Sequence, residues 1–225
     1  MNRVTLLACA IFDNVRLCEI ALHPVNFRGY NHAFALPQFF QIVCMKIGTK
    51  SLLFGVHQFF WHPLTVYRAW KRLYGRPSLR ESLCIVVHDW GYWRAGDMDG
   101  SIGALHPELG ATIIGILFDD AHRDLVLLHS RRYAKGCGLE PSKLCWADKL
   151  SIMYEPDWFY LFRARASGEL DEYRNQAAAY IPIQQSDRAW LRWIKRRFAK
   201  SALLKSRSAR EPGVHLSGRY PFRRV

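Results

Sequence analysis

The chain has 225 residues, half of them apolar and 14% aromatic, which provides for one substantial core and excludes a disordered or low-complexity protein. Its net charge of +13 suggests a nucleic-acid binder until the charge is located: Arg188 to Val225 holds twelve Lys/Arg against Glu211 alone, so +11 belongs to the last 38 residues. The rest is nearly neutral, no run of about 18 apolar residues offers a membrane span, and the six cysteines stand singly with no C-x-x-C pair, which predicts reduced thiols.

Residues 1–36 show no steady period and form an unassigned N-terminal extension. The apolar start, Val4 to Phe12, is interrupted by Asp13 and Arg16 and has no clear cleavage site, so it is not read as a signal peptide and a cytoplasmic protein is expected. A helical domain is predicted over 37–180. Gln38 to Lys46 and Lys50 to Trp61 are short apolar stretches. Pro63 suits the first turn of a helix in which Val66, Ala69, Trp70 and Leu73 recur at helical spacing, with Gly75 as its stop and His62 at its start. Ser78-Leu79-Arg80-Glu81 is a capping-box pattern, opening a helix that runs into His88-Asp89. A Gly/Asp-rich loop follows. Pro107 opens a helix through Phe118, Asp119 or Asp120 starts the next, carrying Leu125, Val126, Leu128 and His129, and Pro141-Ser142-Lys143 starts a short one containing Asp148. Trp158 to Ala177 reads as a helix broken near Gly168. Residues 181–225 are read as a basic amphipathic helix, from Ser186 to Lys205, and a flexible tail. Trp190, Leu191, Ile194 and Phe198 share one side of that helix, opposite Arg192, Lys195, Arg196 and Lys200. Such a helix docks on the domain, lies on an anionic membrane or touches nucleic acid. Strand signals are nearly absent, and the expected class is all-α.

A hydrophobic helix that delivers an imidazole and a carboxylate side by side needs partners for both, because an unpaired buried polar group costs about 1–3 kcal/mol. A metal ion satisfies both at once. His62, His88, Asp89, His106, His129 and Asp148 each lie near a helix end or on a helix rich in apolar neighbours. Neutral imidazoles and carboxylates hold such ions, and two ions about 3.5–4 Å apart need a shared oxygen ligand, which an aspartate supplies.

The order of these residues resembles the HD-domain superfamily of helical metal-dependent phosphohydrolases. The resemblance covers about residues 50–155. It is carried by His62-Pro-Leu-Thr-Val66-x-x-Ala69, by Val86-Val87-His88-Asp89-x-Gly91 and by Ala147-Asp148-Lys149. His106 in His-Pro-Glu-Leu-Gly-Ala and His129 in Leu-Leu-His-Ser match the branch with two metals, which includes diadenosine tetraphosphate hydrolases, cyclic-dinucleotide phosphodiesterases and myo-inositol-oxygenase-like enzymes. The resemblance implies an HD-like bundle binding two divalent transition metal ions, Fe, Mn or Co ahead of Zn or Mg. One ion would be held by His62, His88, Asp89 and Asp148, with Asp89 bridging to a second held by His106 and His129. A hydroxide between the ions would attack a small phosphorylated, nucleotide-like substrate. Many hydrolytic members place a lysine a few residues after the pair. Here Tyr92 stands near that position, leaving Arg94 or Arg131 and Arg132 to meet an anion. The missing lysine and the aromatic-rich surroundings keep di-iron oxygenation of a small molecule open, and the basic helix keeps open a non-enzymatic membrane- or nucleic-acid-binding module with a structural metal. His57 competes with His62 as the first ligand but fits the family spacing less well. Asp97 and Asp99 are candidates to orient substrate or water, and turn chemistry explains them equally.

Overall fold

A computed structural model describes residues 45–178 and 185–208, in which all regular secondary structure is helical. Residues 1–36 and the tail beyond 208 lie outside that range, as do most of the stretch from Gln38 to Lys46 and Cys9, Cys18 and Cys44. Ten α-helices are described: α1 (Ile47–Phe54), α2 (Trp61–Tyr74), α3 (Leu79–Val87), α4 (Pro107–Leu117), α5 (Asp120–Leu127), α6 (Arg131–Gly136), α7 (Lys143–Ser151), α8 (Asp157–Ser167), α9 (Glu169–Ala177) and α10 (Asp187–Ser208). None is long and apolar enough to cross a membrane.

The punctuation of the sequence sets most of these ends. Ser78 caps α3 by accepting from the Glu81 amide at 3.2 Å, while the Glu81 carboxylate accepts from the Ser78 amide at 2.7 Å, so the capping box forms in full. Asp119 caps α5, Pro107 takes the first position of α4, and Gly168 adopts φ +88 between α8 and α9, where the left-handed region favours glycine. The basic turn at Arg131-Arg132 proves to be the start of α6, capped by Ser130.

Of three apolar clusters among the described residues, one joins Leu52 of α1 to Tyr92, Ala95 and Met98, and two more extensive ones hold most of the other helices together. The larger joins Val66, Ala69, Trp70 and Leu73 of α2 to Cys84, Ile85 and Val87 of α3, Ile114 of α4, Val126 of α5 and Leu144 to Ala147 of α7. The smaller joins Tyr160, Leu161 and Ala164 of α8 to Leu170 of α9 and Trp190 and Leu191 of α10. Ala202, about three turns further along α10, belongs to the larger cluster, so α10 spans both. The basic helix therefore docks on the domain through the apolar side expected from its pattern. Cys84 and Cys145 are buried free thiols, as expected, whereas Cys137 is exposed.

Candidate metal centre

Three of the four predicted histidine ligands sit where a helical segment ends. His88 is the residue after α3, His106 follows the short 3-10 turn Gly103–Leu105, and His129 lies two residues past α5. Each uses the same local device. Nδ1 donates to the carbonyl three residues earlier: His88 to Ile85 at 2.7 Å, His106 to Gly103 at 2.6 Å and His129 to Val126 at 2.6 Å. A carbonyl oxygen only accepts, so Nδ1 carries the proton in all three and Nε2 presents a lone pair. At His106 and His129 the same carbonyl also accepts the residue's own amide, at 3.1 and 3.2 Å. Such orientation of the far ring nitrogen is a recurrent feature of metal-binding histidines.

His62, in the first turn of α2, is held differently. Its Nδ1 has no hydrogen-bond partner, and the ring is instead packed edge-on against His57 at 5.2 Å between centroids and tilted against His88 at 5.2 Å.

All four imidazoles converge on Asp89, which is buried with them. Its Oδ2 lies 3.1 Å from His62 Nε2 and 3.2 Å from His88 Nε2, while Oδ1 lies 3.3 Å from His129 Nε2 and 3.6 Å from His106 Nε2. The carboxylate thus divides its oxygens between two clusters, His62–His88–Asp89 and Asp89–His106–His129, in each of which one ligand atom per residue falls within 4.8 Å of the others. Asp148, midway along α7, places Oδ1 at 3.3 Å from His62 Nε2 and Oδ2 at 2.9 Å from Lys149 Nζ. The structure therefore brings together all six expected ligands.

The donor set fits a cation. His62 Nε2, His88 Nε2 and Asp89 Oδ2 are buried without an aligned hydrogen bond despite their short separations, the arrangement expected of groups aimed at a common point rather than at one another. His106 Nε2 and His129 Nε2 face each other at 3.0 Å, lone pair to lone pair. Burial and then the neighbouring His129 hold His106 well below the ordinary histidine range, and burial likewise lowers His88. A proton is thus a poor bridge in this cluster and a metal ion a good one. Asp89 is kept well below the carboxylate range: burial pushes it up, but His88, His57, His129 and His62 outweigh that. Burial would lower His62 as well, yet the carboxylates of Asp148 and Asp89 beside it prevail and raise it to about 10.

Beside the centre lies a cavity of about 290 Å³, near the lower end of the usual range for small-molecule sites. His62 and Asp148 line it, together with Arg131, Lys149 and Arg197 and with aromatic walls from Tyr92, Tyr160, Trp193 and Phe198. Arg94 is exposed in a left-handed turn (φ 66), its amide donating to Thr49 Oγ1 at 2.9 Å, and it does not line the cavity. Arg132 donates to the Asp99 carbonyl, and Asp97 accepts from the Gly103 amide at 2.6 Å. Asp97 thus serves the turn, whereas Asp99 lines the cavity. Tyr92 stacks on the His106 ring at 4.0 Å and 12°.

Three features of the site escape local sequence patterns. Glu169 is fully buried and binds His57 Nδ1 at 3.0 Å, so His57 is a fixed cavity residue rather than a ligand. Lys149 is half-buried beside Asp148, and α10 contributes Trp193, Arg197 and Phe198 to the wall. The triplet Ala147-Asp148-Lys149 was the available signal for Lys149; the other two depend on contacts between residues far apart in the chain. No family model, no curated protein and no solved structure matches this chain.

Proposed function

We propose that the chain is a two-metal hydrolase of the HD-domain type, acting on a phosphoester or phosphoanhydride of a small nucleotide-like molecule. The observation that carries this reading is the division of the Asp89 oxygens between two histidine clusters. His62, His88, Asp89 and Asp148 would hold one ion, and Asp89, His106 and His129 the other. Bound divalent ions supply Lewis acidity toward a phosphoryl oxygen and acidify water at neutral pH. The chain's own residues do the rest. The three backbone-tied imidazoles keep their lone pairs directed inward, and Tyr92 covers His106 with an apolar ring face. Arg131, at the start of α6, offers the cavity a planar donor fork suited to phosphate oxygens.

The test is release of phosphate or nucleotide from a substrate panel with Mn²⁺, Fe²⁺ or Co²⁺, together with metal analysis of protein purified without air. Two metals per chain and activity abolished in Asp89→Ala and His88→Ala are expected. Activity surviving both substitutions overturns the proposal. One observation favours a second reading, oxygenation at a di-iron centre: the aromatic Tyr92, rather than a cation, stands against the ligand His106. Full activity with a redox-inert metal rules that reading out. The third possibility remains a distinct reading: a membrane-binding helix would use the apolar side that α10 buries on its own domain, whereas a nucleic-acid contact would use its basic side.

A further inference from the structure

Away from the cavity, α10 presents a second surface that the metal centre does not use. Arg188, Arg192, Arg196 and Lys200 recur every fourth residue and are all exposed. At a rise of about 1.5 Å per residue they form one row about 18 Å long. None of the four lines the cavity, and none has a carboxylate partner among the described residues. The carboxylates on and beside α10 are already engaged: Asp187 pairs with Arg165 and Arg174, and Asp157 with Lys195. The sequence continues in the same sign, with six Lys/Arg after Lys200 against Glu211 alone.

At its first residue the row meets an aromatic groove, which Arg188 lines together with Trp158, Leu161 and Phe162 of α8. Trp158 and Phe162 lie one turn apart and are 67% and 64% exposed, although the opposite side of α8 packs into the core. Exposed apolar patches rimmed by polar groups mark sites of interaction. We propose that this surface binds a single-stranded polynucleotide, with its phosphodiester backbone along Arg188, Arg192, Arg196 and Lys200 and an unstacked base against Trp158 and Phe162. A row of unpaired cations fits an anion whose charges repeat along a line. Three of the four are arginines, whose planar forks match phosphate oxygens. Rings beside such a track accept bases of any sequence, because every base has a flat face to stack. A bilayer fits less well: α10 keeps its apolar side in the core, and the rings belong to a groove, which admits a base but not a flat lipid surface. A duplex keeps its bases stacked inside and offers the groove nothing. None of these residues is a proposed metal ligand, so the inference does not rest on the hydrolase reading.

The experiment follows fluorescence anisotropy of labelled strands of about twelve nucleotides, oligo(dT), oligo(U) and an abasic phosphodiester strand, with the full chain between about 50 and 200 mM salt. Arg192→Gln combined with Arg196→Gln is expected to weaken all three strands. It should also reduce the slope of log K against log salt by about 1.4, at about 0.7 per lost phosphate contact. Trp158→Leu is expected to weaken oligo(dT) or oligo(U) by at least about fivefold and to leave the abasic strand unchanged. Arg80→Gln, exposed on α3 and paired with Asp119, is the control for net charge and should bind like the wild type. Thermal midpoints and metal content verify that each variant keeps its fold and its centre. This pattern with either the deoxy or the ribo strand supports the proposal. Wild-type affinity in the double arginine variant assigns binding to the basic tail and overturns it, as does a Trp158→Leu effect equal on all three strands. Binding to phosphatidylserine vesicles that depends on Trp158, while strand binding does not, makes the surface a membrane contact and overturns it as well.

Discussion

Two buried carboxylates show how residue-scale accounting separates a structural group from a ligand. Glu169 is surrounded by donors: Ser51 Oγ at 2.6 Å, the Val56 amide at 2.9 Å, His57 Nδ1 at 3.0 Å, the Tyr173 hydroxyl at 3.1 Å and the Ser167 hydroxyl. It needs nothing further. Asp89, equally buried, faces four imidazole nitrogens, and its Oδ2 has no aligned donor. In Asp89→Asn one oxygen becomes an NH₂ that presents hydrogens where a ligand atom is required, and the bridge is lost. Metal affinity should fall by at least about a hundredfold, the upper end of what loss of a supporting outer contact costs, with metal stoichiometry by elemental analysis as the readout. Glu169 gives the pH prediction. Burial raises its carboxyl, but His57, Ser167 and Ser51 outweigh that and set it below its ordinary value of 4.5. A carboxyl lowered on folding contributes stability that is present above its unfolded value and lost as pH falls through the folded one. Urea unfolding from pH 7 toward pH 3 should therefore show declining stability. Glu169→Gln should start about 1–3 kcal/mol lower at pH 7 and decline less steeply.

At the scale of elements, the site is a set of helix ends, and helix ends are what sequence punctuation reports. Pro63, the Ser78–Glu81 box and Pro107 are local signals, which is why His62, His88 and His106 are legible at helix ends, whereas the pattern after Asp119 carries His129 within a helix that in fact stops at Leu127. The link from Glu169 to His57 spans 112 residues, and neither the pattern around His57 nor Gly168-Glu169 encodes it. Arg94 follows the His-Asp pair closely along the chain, but the 3-10 turn Trp90–Tyr92 and the left-handed turn after it carry it to the surface. Gly91 explains why that turn is tight: a Cβ there would lie 2.0 Å from the His106 carbonyl oxygen, so only glycine lets the two ligand-bearing segments approach. Gly168 is the useful contrast, because its Cβ would make only an ordinary 3.7 Å contact with Ile47 and the strain is confined to its positive φ. Gly168→Ala should cost about 1–2 kcal/mol. Gly91→Ala should cost more, since two backbone segments must separate, and should weaken metal binding as well. Calorimetric midpoints with and without Mn²⁺ distinguish the two effects: only the Gly91 variant should lose part of the stabilisation by metal.

For the whole molecule, the question is whether α10 is an appendage or part of the domain. Its amphipathic pattern was legible in the sequence, but a pattern names the apolar side without naming what covers it. The cover is the domain itself. Trp190 and Leu191 are 2% and 0% exposed among side chains of α8 and α9, and Ala202 is 0% exposed in the cluster formed by α2, α3 and α7. Its polar side is tied down too, with Lys195 donating to the Asp157 carboxylate and the Glu155 carbonyl, both at 2.6 Å. A peripheral helix would detach alone, whereas a helix that joins two core clusters should unfold with them. Leu191→Ala discriminates between these. Truncating a fully buried leucine costs about 2–5 kcal/mol. In an appendage that loss would appear only as faster hydrogen exchange over 187–208. In an integral helix it should lower the midpoint of one cooperative transition and reduce the protection of α7 by the same free energy, because α7 packs against α10 and carries Asp148. Protection of α7 unchanged in Leu191→Ala would make α10 a separable arm, and the cavity wall it provides would then be a conditional one.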